Sequence, residues 1–244
     1  MSEKFDFSFA SYDRLLKLFQ KSEYECVNYF DIPSSDSKIL LRHDIDIDIF
    51  NCKRMSELEL GNSFSSTWFF QPNNDYYNPL SSECMRILRD LSEHHTLGLH
   101  IDPVLFPDAE QLERGVVRLY DFYSGYFDVK KVISFHRPAK YLKDPAASIS
   151  GFVNAYDHIF LDSMTYVSDS NRREFFGQER IWEAYNSRRS VILLTHPLWW
   201  REDSLDREAL YKRICESAEN NICRKALAGN ITLYGYLEEQ SKEV

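Results

Sequence analysis

Short apolar runs alternate with longer stretches of helical periodicity along this chain, and this alternation constrains its fold more than any other feature. The apolar runs predict β-strands at residues 38–41, 66–70, 96–99, 131–135, 159–161 and 190–194. The periodic stretches predict helices at residues 12–20, 49–60, 81–94, 108–127 and 204–227. Strands that alternate with helices in this way form βαβ units, whose parallel sheet is covered on both faces by helices. The sequence therefore predicts an α/β fold.

Length and composition favour one globular domain. The chain has 244 residues, of which 43% are hydrophobic and 15% aromatic, so it can bury a sizeable core. Its low content of glycine and proline, 8 of each, argues against a fibrous or low-complexity protein. A (β/α) barrel of this length is common as a single unit, and no repeat or linker divides the sequence. We expect one domain over residues 1–244.

Charge and hydropathy argue against two classes of protein. The formal net charge is −9 and no basic stripe is present, whereas nucleic-acid binders need basic residues to neutralise phosphates. The N-terminal segment has no apolar signal region, and no apolar run is long enough to span a bilayer. The five cysteines include no C-x-x-C pair, which fits a reducing compartment. We expect a cytoplasmic protein that neither spans a membrane nor binds nucleic acid.

Histidines recur where the apolar runs end. Four of the seven histidines share this position: His43, His100, His136 and His196. Parallel α/β folds place their chemistry at the carboxyl ends of strands, so four such positions indicate a functional site. The remaining three, His94, His95 and His158, lie outside this pattern. We expect them at the surface or in a supporting position.

Two carboxylates follow the first of these histidines. Asp44 and Asp46 share one face of an extended segment, because side chains two apart point the same way. Neighbouring carboxylates repel each other unless a cation lies beside them, so the pair indicates a divalent metal site. The alternative is a group of acids at the N-terminus of the next helix. That interpretation explains Asp48, but not Asp44 and Asp46 at the end of a buried strand.

A second pair with the same spacing follows the third apolar run. It consists of His100 and Asp102. Imidazole and carboxylate are both good zinc ligands, and a catalytic zinc keeps three protein ligands and one open position. The two pairs together predict a metal site at the strand ends.

Five segments of the chain, in order and at compatible spacing, resemble the motifs of one known family. They are Arg42-His43-Asp44-Ile45-Asp46, Thr67-Trp68-Phe69-Phe70, His95 to His100, Phe135-His136-Arg137-Pro138 and Ile192 to His196. This part of the chain, about residues 38 to 200, resembles the NodB-homology polysaccharide deacetylases, the family-four carbohydrate esterases. The resemblance implies a single-domain, deformed (β/α) barrel of about seven strands.

The resemblance also implies a role for each matching residue. Asp44 would be the general base, and Asp46 and His100 would be metal ligands. Arg137 would orient or tune the base, and His196 would be the general acid.

One position departs from the family's motifs. The family's second metal-binding histidine falls at Val104, which has no ligand atom. The third ligand is then His136 or Asp102, and we favour His136 because it retains a set of one carboxylate and two imidazoles. The expected cofactor is one divalent ion, with zinc as the preferred metal for these ligands.

The polar loops after the later strands predict contacts with substrate. The expected substrate-binding residues are Asp102, Asp169, Arg172, Arg173 and Trp199. An arginine pair suits a phosphate or carboxylate, and a tryptophan can stack on a sugar ring. An ordinary solvent loop for the arginines and core packing for the tryptophan are the alternatives. Residues 71–78 are expected to form another wall of the cleft.

The resemblance fits best an offshoot of the family that acts in surface-polysaccharide biosynthesis. It implies a metal-dependent hydrolase that removes an acetyl or formyl group from the nitrogen of an amino sugar, in a precursor of O-antigen or capsule. The expected partner is a small sugar substrate, linked to a nucleotide. Two alternatives remain open: hydrolysis of another C–N amide, such as an imide or ureide, and a non-catalytic carbohydrate-binding barrel.

Overall fold

The computed structural model describes residues 5–31, 37–137, 139–142, 144–170, 178–206 and 208–216. The strands are β1 Glu25–Cys26, β2 Lys38–Ile45, β3 Thr67–Phe70, β4 Thr96–Ile101, β5 Val129–Phe135, β6 Val153–Asn154, β7 Thr165–Ser168 and β8 Val191–Thr195. The helices among the described residues up to 204 are α1 Phe9–Lys21, α2 Asn51–Gly61, α3 Ser82–His94, α4 Ala109–Tyr123, α5 His158–Leu161 and α6 Gln178–Asn186. A 3-10 turn at Pro103–Leu105 follows β4.

The strands form one parallel sheet that curls into a half-barrel. Its order is β6-β5-β4-β3-β2-β8-β7, and β1 pairs with β2 outside this path. Every pairing between neighbouring strands is parallel. The prediction of an α/β fold with a parallel sheet is confirmed at this level. Because the strands are parallel, their carboxyl ends all lie at the same edge of the sheet.

Strand β2 lies in the middle of the sheet and is buried on both faces. All eight of its residues are buried. Leu40 packs in the smaller apolar cluster with Phe69 and Val132, whereas Leu41 packs in the main core. Residue 98 on β4 has no room for a side chain beside this smaller cluster. A Cβ added to Gly98 would lie 2.7 Å from the Val132 carbonyl oxygen and 2.8 Å from the Phe69 ring.

The helix-facing side of β2 carries a buried polar network around His43. The His43 ring stacks on Trp68 with centroids 3.9 Å apart. Its Nε2 lies 2.6 Å from Glu59 Oε1, and its Nδ1 lies 2.6 Å from Thr195 Oγ1. Tyr12 donates its hydroxyl hydrogen to Glu59 at 2.5 Å. The expectation that His43 belongs to the strand-end site is therefore wrong, because it lies inside β2 and faces away from Asp44.

His95, expected at the surface or in a supporting position, is also buried in this region. The Ser66 backbone N–H donates to His95 Nδ1 at 3.1 Å, and Nε2 lies 2.8 Å from Ser56 Oγ. Burial lowers the pKa of His95. A neutral ring that accepts at Nδ1 and donates at Nε2 satisfies both contacts. His95 therefore supports the packing of α2 against β3.

The predicted strand at residues 159–161 is wrong. These residues lie in the short helix α5, which begins after Asp157, whose side chain accepts the backbone N–H of Ile159 at 3.0 Å. The strand in this part of the chain is β7, which follows α5. A run of three apolar residues is too short to show the period that distinguishes a helix from a strand, and of the three only Phe160 is buried.

The chain divides into two units by internal contacts. The first, residues 1–204, contains the sheet and its helices. Within the second, residues 205–244, residues 208–216 are helical and the backbone N–H of Leu210 donates to the Asp206 carbonyl at 3.0 Å. The expectation of a single domain stays a prediction. Among the described helices, none combines the length and apolarity needed to cross a bilayer.

Candidate metal and acid–base site

The carboxyl ends of four strands bring the expected site residues to one edge of the sheet. Asp46 follows β2, His100 lies near the end of β4, His136 follows β5 and His196 follows β8. Because β2 pairs with β8 and β4 pairs with β5, these side chains meet from both sides of the half-barrel. The topology thus explains why residues 150 positions apart share one site.

Three of these side chains converge on one point. Asp46 Oδ1 lies 3.1 Å from His100 Nε2 and 3.1 Å from His136 Nδ1. The two imidazole nitrogens are themselves 3.2 Å apart. Each residue therefore offers one electron-pair donor to a common position, and among the described residues these three form a group able to hold a metal ion.

The surroundings of the three residues leave one side open. The His100 side chain is 2% exposed, and its Nδ1 lies 3.3 Å from the Ser134 carbonyl oxygen, to which it can donate. That contact leaves Nε2 free to act as a ligand, a common arrangement for metal-binding histidines. The side chains of Asp46 and His136 are 24% and 30% exposed. A substrate and a water molecule can reach the cluster from this side.

The donor set and its spacing fit a divalent transition metal. One carboxylate and two imidazoles are ligands that zinc prefers, and a catalytic zinc site needs an open position beside three protein ligands. Ligand atoms around a tetrahedral ion with bonds of about 2.0–2.1 Å stand about 3.3 Å apart. The observed separations of 3.1–3.2 Å agree with that spacing. The cluster identifies His136, not Asp102, as the third residue that approaches Asp46 and His100.

Asp44 lies beside this cluster and is paired with Arg42. Arg42 donates through Nε to Asp44 Oδ1 at 2.9 Å and through Nη2 to Oδ2 at 2.8 Å. Asp44 Oδ2 also lies 3.7 Å from His100 Nε2. Burial alone would raise the pKa of Asp44, but the Arg42 guanidinium and the neighbouring histidines hold it below its ordinary value. Asp44 is therefore ionised at neutral pH.

The expectation that Arg137 lies near Asp44 is wrong. Arg137 donates through Nε to both oxygens of Asp102, at 3.0 and 2.9 Å, and its Nη2 lies 2.7 Å from Oδ2. Its side chain is 54% exposed, at the rim of the site. Arg42 reaches Asp44 instead, because residues two apart on β2 point to the same face.

Asp102 has a structural task at the end of β4. Its Oδ1 accepts the backbone N–H of Val104 at 3.1 Å and so caps the 3-10 turn that follows. The same carboxylate pairs with Arg137. These contacts account for its oxygens and explain why it does not join Asp46 and His100. The side chain of Val104, where the sequence resemblance implied a histidine, is exposed.

His196 and Asp169 form a buried pair beside the cluster. Asp169 Oδ1 lies 2.5 Å from His196 Nδ1, and both its oxygens accept the His196 backbone N–H, at 3.1 and 3.0 Å. Trp200 donates its indole N–H to Asp169 Oδ2 at 3.0 Å. The expectation that Asp169 contacts substrate is therefore wrong: it is buried and fixes His196. His196 Nε2 faces the cluster, 3.7 Å from Asp46 Oδ2.

The negative charge of Asp169 favours the protonated form of the His196 imidazole. Burial lowers the pKa of His196, but the carboxylate of Asp169 and, further away, those of Asp44 and Asp46 raise it more, to about 9. At neutral pH the ring is therefore an imidazolium with Nδ1–H directed at Asp169 and Nε2–H directed at the cluster. An ionised carboxylate at Asp44 and a cationic acid at His196 thus flank the three metal-binding candidates.

The remaining expected contacts are described only in part. Trp199 is half-buried and packs against the main core, and its backbone N–H donates to the His196 carbonyl at 3.0 Å. Its contact with a sugar stays a prediction. Arg172 and Arg173 lie outside the described residues.

No model of a known protein family matches this chain, and no curated protein matches it.

Proposed function

We propose that this chain is a metal-dependent hydrolase that removes an acetyl or formyl group from the nitrogen of an amino sugar. The proposal includes membership of the NodB-homology polysaccharide deacetylases, with a deformed (β/α) barrel. The observation that carries it is the convergence of Asp46, His100 and His136 between an ionised carboxylate and a cationic imidazole. The parallel half-barrel, with this cluster at the carboxyl ends of its strands, supports the family assignment.

Asp46, His100 and His136 would hold the metal ion. When bound there, a divalent ion would supply Lewis acidity at the open side of the site. The rest of the chemistry falls to side chains of this protein. His100, with its Nδ1 on the Ser134 carbonyl, holds its ring in a fixed orientation.

Asp44 would accept the proton of the attacking water. Its carboxylate is kept ionised by Arg42, so it is in the basic form throughout the neutral range. The same contact fixes its orientation, because the planar guanidinium engages both oxygens at once. The same contact makes the carboxylate less basic, because Arg42 lowers the pKa of Asp44.

His196 would protonate the amine that leaves. An amine departs from a tetrahedral intermediate slowly unless it receives a proton, and a cationic imidazole supplies one at neutral pH. Asp169 holds Nδ1, which leaves the Nε2 proton as the one to be transferred. His196 thus acts beside Asp46 Oδ2, whereas His136 approaches Asp46 Oδ1.

The test of this proposal is acyl release from a matched set of substrates. We expect purified protein with added zinc to release acetate or formate from N-acylated amino sugars, and not to open cyclic imides or ureides. Each sugar is supplied in its free and its nucleotide-linked form, and the released acid and the free amine are both measured. Ring opening without acyl release would support the C–N amide alternative. Sugar binding without either reaction would support a non-catalytic barrel.

A cytoplasmic, nucleotide-linked sugar is the substrate that we propose. Its phosphates would contact Arg172 and Arg173, which the structure does not describe. A preference for the nucleotide-linked member of each pair would support this part of the proposal. Equal rates on both forms would contradict it and leave the hydrolase assignment intact.

Replacement of His196 by Ala is expected to slow hydrolysis of the sugar amide by about a hundredfold or more, the lower range for loss of a general acid. The loss should be much smaller for an aryl acetate ester, whose leaving group needs no proton. Steady-state rates on both substrates measure the difference. Equal losses on the two substrates would remove His196 from the role of acid.

The pH dependence of activity is a second test of His196 as the general acid. Activity should fall as pH rises through the pKa of this imidazole, which Asp169 raises above its ordinary value, because the proton to be donated is then lost. Asp169→Asn removes the charge that raises this pKa, so the falling limb should move to lower pH. A limb that stays in place in the variant would show that another group titrates there.

A further inference from the structure

Two side-chain amides in the loop after β3 hold Asp46. Gln71 Nε2 donates to Asp46 Oδ1 at 3.3 Å. Asn74 Nδ2 donates to the Asp46 carbonyl oxygen at 2.8 Å and to Gln71 Oε1 at 2.8 Å. The backbone and the carboxylate of Asp46 are thus held by one connected pair of residues.

The orientation of both amides follows from their partners. Asn74 Oδ1 faces the backbone N–H groups of Tyr76 and Tyr77, at 2.7 and 3.0 Å, which can only donate. Its Nδ2 must therefore face the Asp46 carbonyl, which can only accept. Since Gln71 Oε1 accepts from Asn74, the remaining Nε2 of Gln71 is directed at the Asp46 carboxylate.

A buried tyrosine fastens the same loop to the end of β2. Tyr77 donates its hydroxyl hydrogen to the Ile45 carbonyl at 2.8 Å and accepts the Gln71 backbone N–H at 2.9 Å. Tyr77 is buried, so these contacts are sheltered from water. The loop from Gln71 to Tyr77 therefore cannot shift without breaking its hydrogen bonds to Ile45 and Asp46.

The contact of Gln71 restrains the orientation of the Asp46 carboxylate plane. Oδ1 lies 3.1 Å from both His100 Nε2 and His136 Nδ1, whereas Oδ2 lies 3.7 Å from His196 Nε2. A partial rotation of the carboxylate would swing the oxygen that faces His100 and His136 away from both imidazoles. The Gln71 N–H donated to that oxygen opposes the rotation.

We propose that Gln71 and Asn74 are positioning residues that hold Asp46 Oδ1 toward His100 and His136 and thereby raise the affinity of the site for a divalent cation. The proposal rests on the metal site of the proposed function. Loss of a residue that orients a metal ligand weakens metal binding by about 10–100-fold. The pair is expected to act on the affinity for zinc, with little effect on the fold.

The test measures the Kd for zinc of the full chain by competition with a chromophoric chelator. Gln71→Met keeps the length of the side chain and removes its donor, and we expect zinc to bind about 10–100-fold more weakly. Asn74→Asp keeps the oxygen that accepts from Tyr76 and Tyr77 but removes both donated hydrogen bonds. We expect a similar loss, although the added negative charge by itself would favour a cation.

Asn78→Asp is the matched control. Asn78 is exposed, and its Oδ1 accepts the Leu80 backbone N–H at 3.0 Å, so the control makes the same change of charge in a similar turn away from Asp46. It should bind zinc as the wild type does. Thermal unfolding without zinc is recorded for each variant, and if Asn74→Asp fails to fold, Gln71→Met decides, because it leaves the turn intact.

The outcomes separate this inference from the proposed function. Wild-type affinity in Gln71→Met and in a folded Asn74→Asp would overturn the positioning role and leave the metal site standing. A weakened Gln71→Met with an unchanged Asn78→Asp would support it. Absence of zinc binding by the wild-type chain would overturn both the metal site and the positioning role.

Discussion

Replacement of Asp46 by Ala is expected to abolish tight zinc binding and, with it, hydrolysis of the sugar amide. Asp46 supplies the one carboxylate of the three-residue cluster, and its Oδ1 lies 3.1 Å from a ring nitrogen of both His100 and His136. Loss of a direct ligand should exceed the effect of losing a residue that only orients one, so the Kd should rise by more than about a hundredfold. Elemental analysis of the purified protein and chelator competition measure the two quantities.

The same measurement separates the two candidates for the third ligand. His136→Ala should lose zinc in the same way as His100→Ala, because both rings face Asp46 Oδ1. Asp102→Ala should retain zinc, since Asp102 pairs with Arg137 and caps the 3-10 turn. Full zinc occupancy in both Asp46→Ala and His100→Ala would mean that the metal site is misplaced. Loss of zinc in Asp102→Ala alone would reverse the choice of third ligand.

Much of the site could be predicted from the sequence because it depends on strand ends. A parallel sheet brings the residues after its strands to one edge, whatever their separation along the chain. Three histidines of the four singled out, His100, His136 and His196, do meet there. The two-residue spacing also placed Asp44 and Asp46 on one face, and both approach His100. These predictions needed only strand periodicity and topology.

Arg42 was missed although its signal was present in the sequence. The spacing rule that pairs Asp44 with Asp46 also places Arg42 on the face of Asp44. The strand is longer than its apolar run, so Arg42, His43 and Asp44 lie inside β2 and not beyond it. A strand boundary taken from hydropathy alone therefore ended too early. For the same reason His43 was assigned to the edge of the sheet.

The partner of His196 could not be found from local sequence. Asp169 and His196 are brought together because β7 pairs with β8, and β7 begins after the segment predicted as a strand. A carboxylate after an unrecognised strand has no visible partner. The buried contact of Glu59 with His43 is similar, since it depends on how α2 packs across β2. Both contacts depend on tertiary structure, and neither Asp169 nor Glu59 belongs to a periodic apolar pattern.

Replacement of Asp44 by Asn is expected to reduce turnover by about 10²–10⁴-fold, the range for loss of a general base, while zinc still binds. The amide cannot accept the proton of water, but it has nearly the shape of the carboxylate. Asp44 is not among the three residues that converge on the metal position, so the Kd for zinc should change little. Turnover on the sugar amide and the Kd for zinc are compared in the same preparations.

Because Asp44 and Arg42 form a buried ion pair, the stability of Asp44→Asn must be measured alongside its turnover. Removal of one partner of a buried pair costs about 3–5 kcal/mol, because it leaves the other charge unpaired. Asn can still accept one hydrogen bond from Arg42, so the free energy of unfolding should fall by less than that. Denaturant unfolding of the variant without zinc gives this value. Turnover is then compared only under conditions where both proteins are folded.

Arg42→Lys is the variant that isolates the effect on the base. It keeps the positive charge and the Asp44 carboxylate but loses the two-point contact of the guanidinium. The pKa of Asp44 should then rise, since Arg42 holds it below its ordinary value. Because the base must be ionised, the acidic limb of the pH profile should move to higher pH while turnover at its plateau survives.

If Asp44→Asn instead retains near-wild-type turnover at equal zinc occupancy, Asp44 is not the base, and its pairing with Arg42 is purely structural.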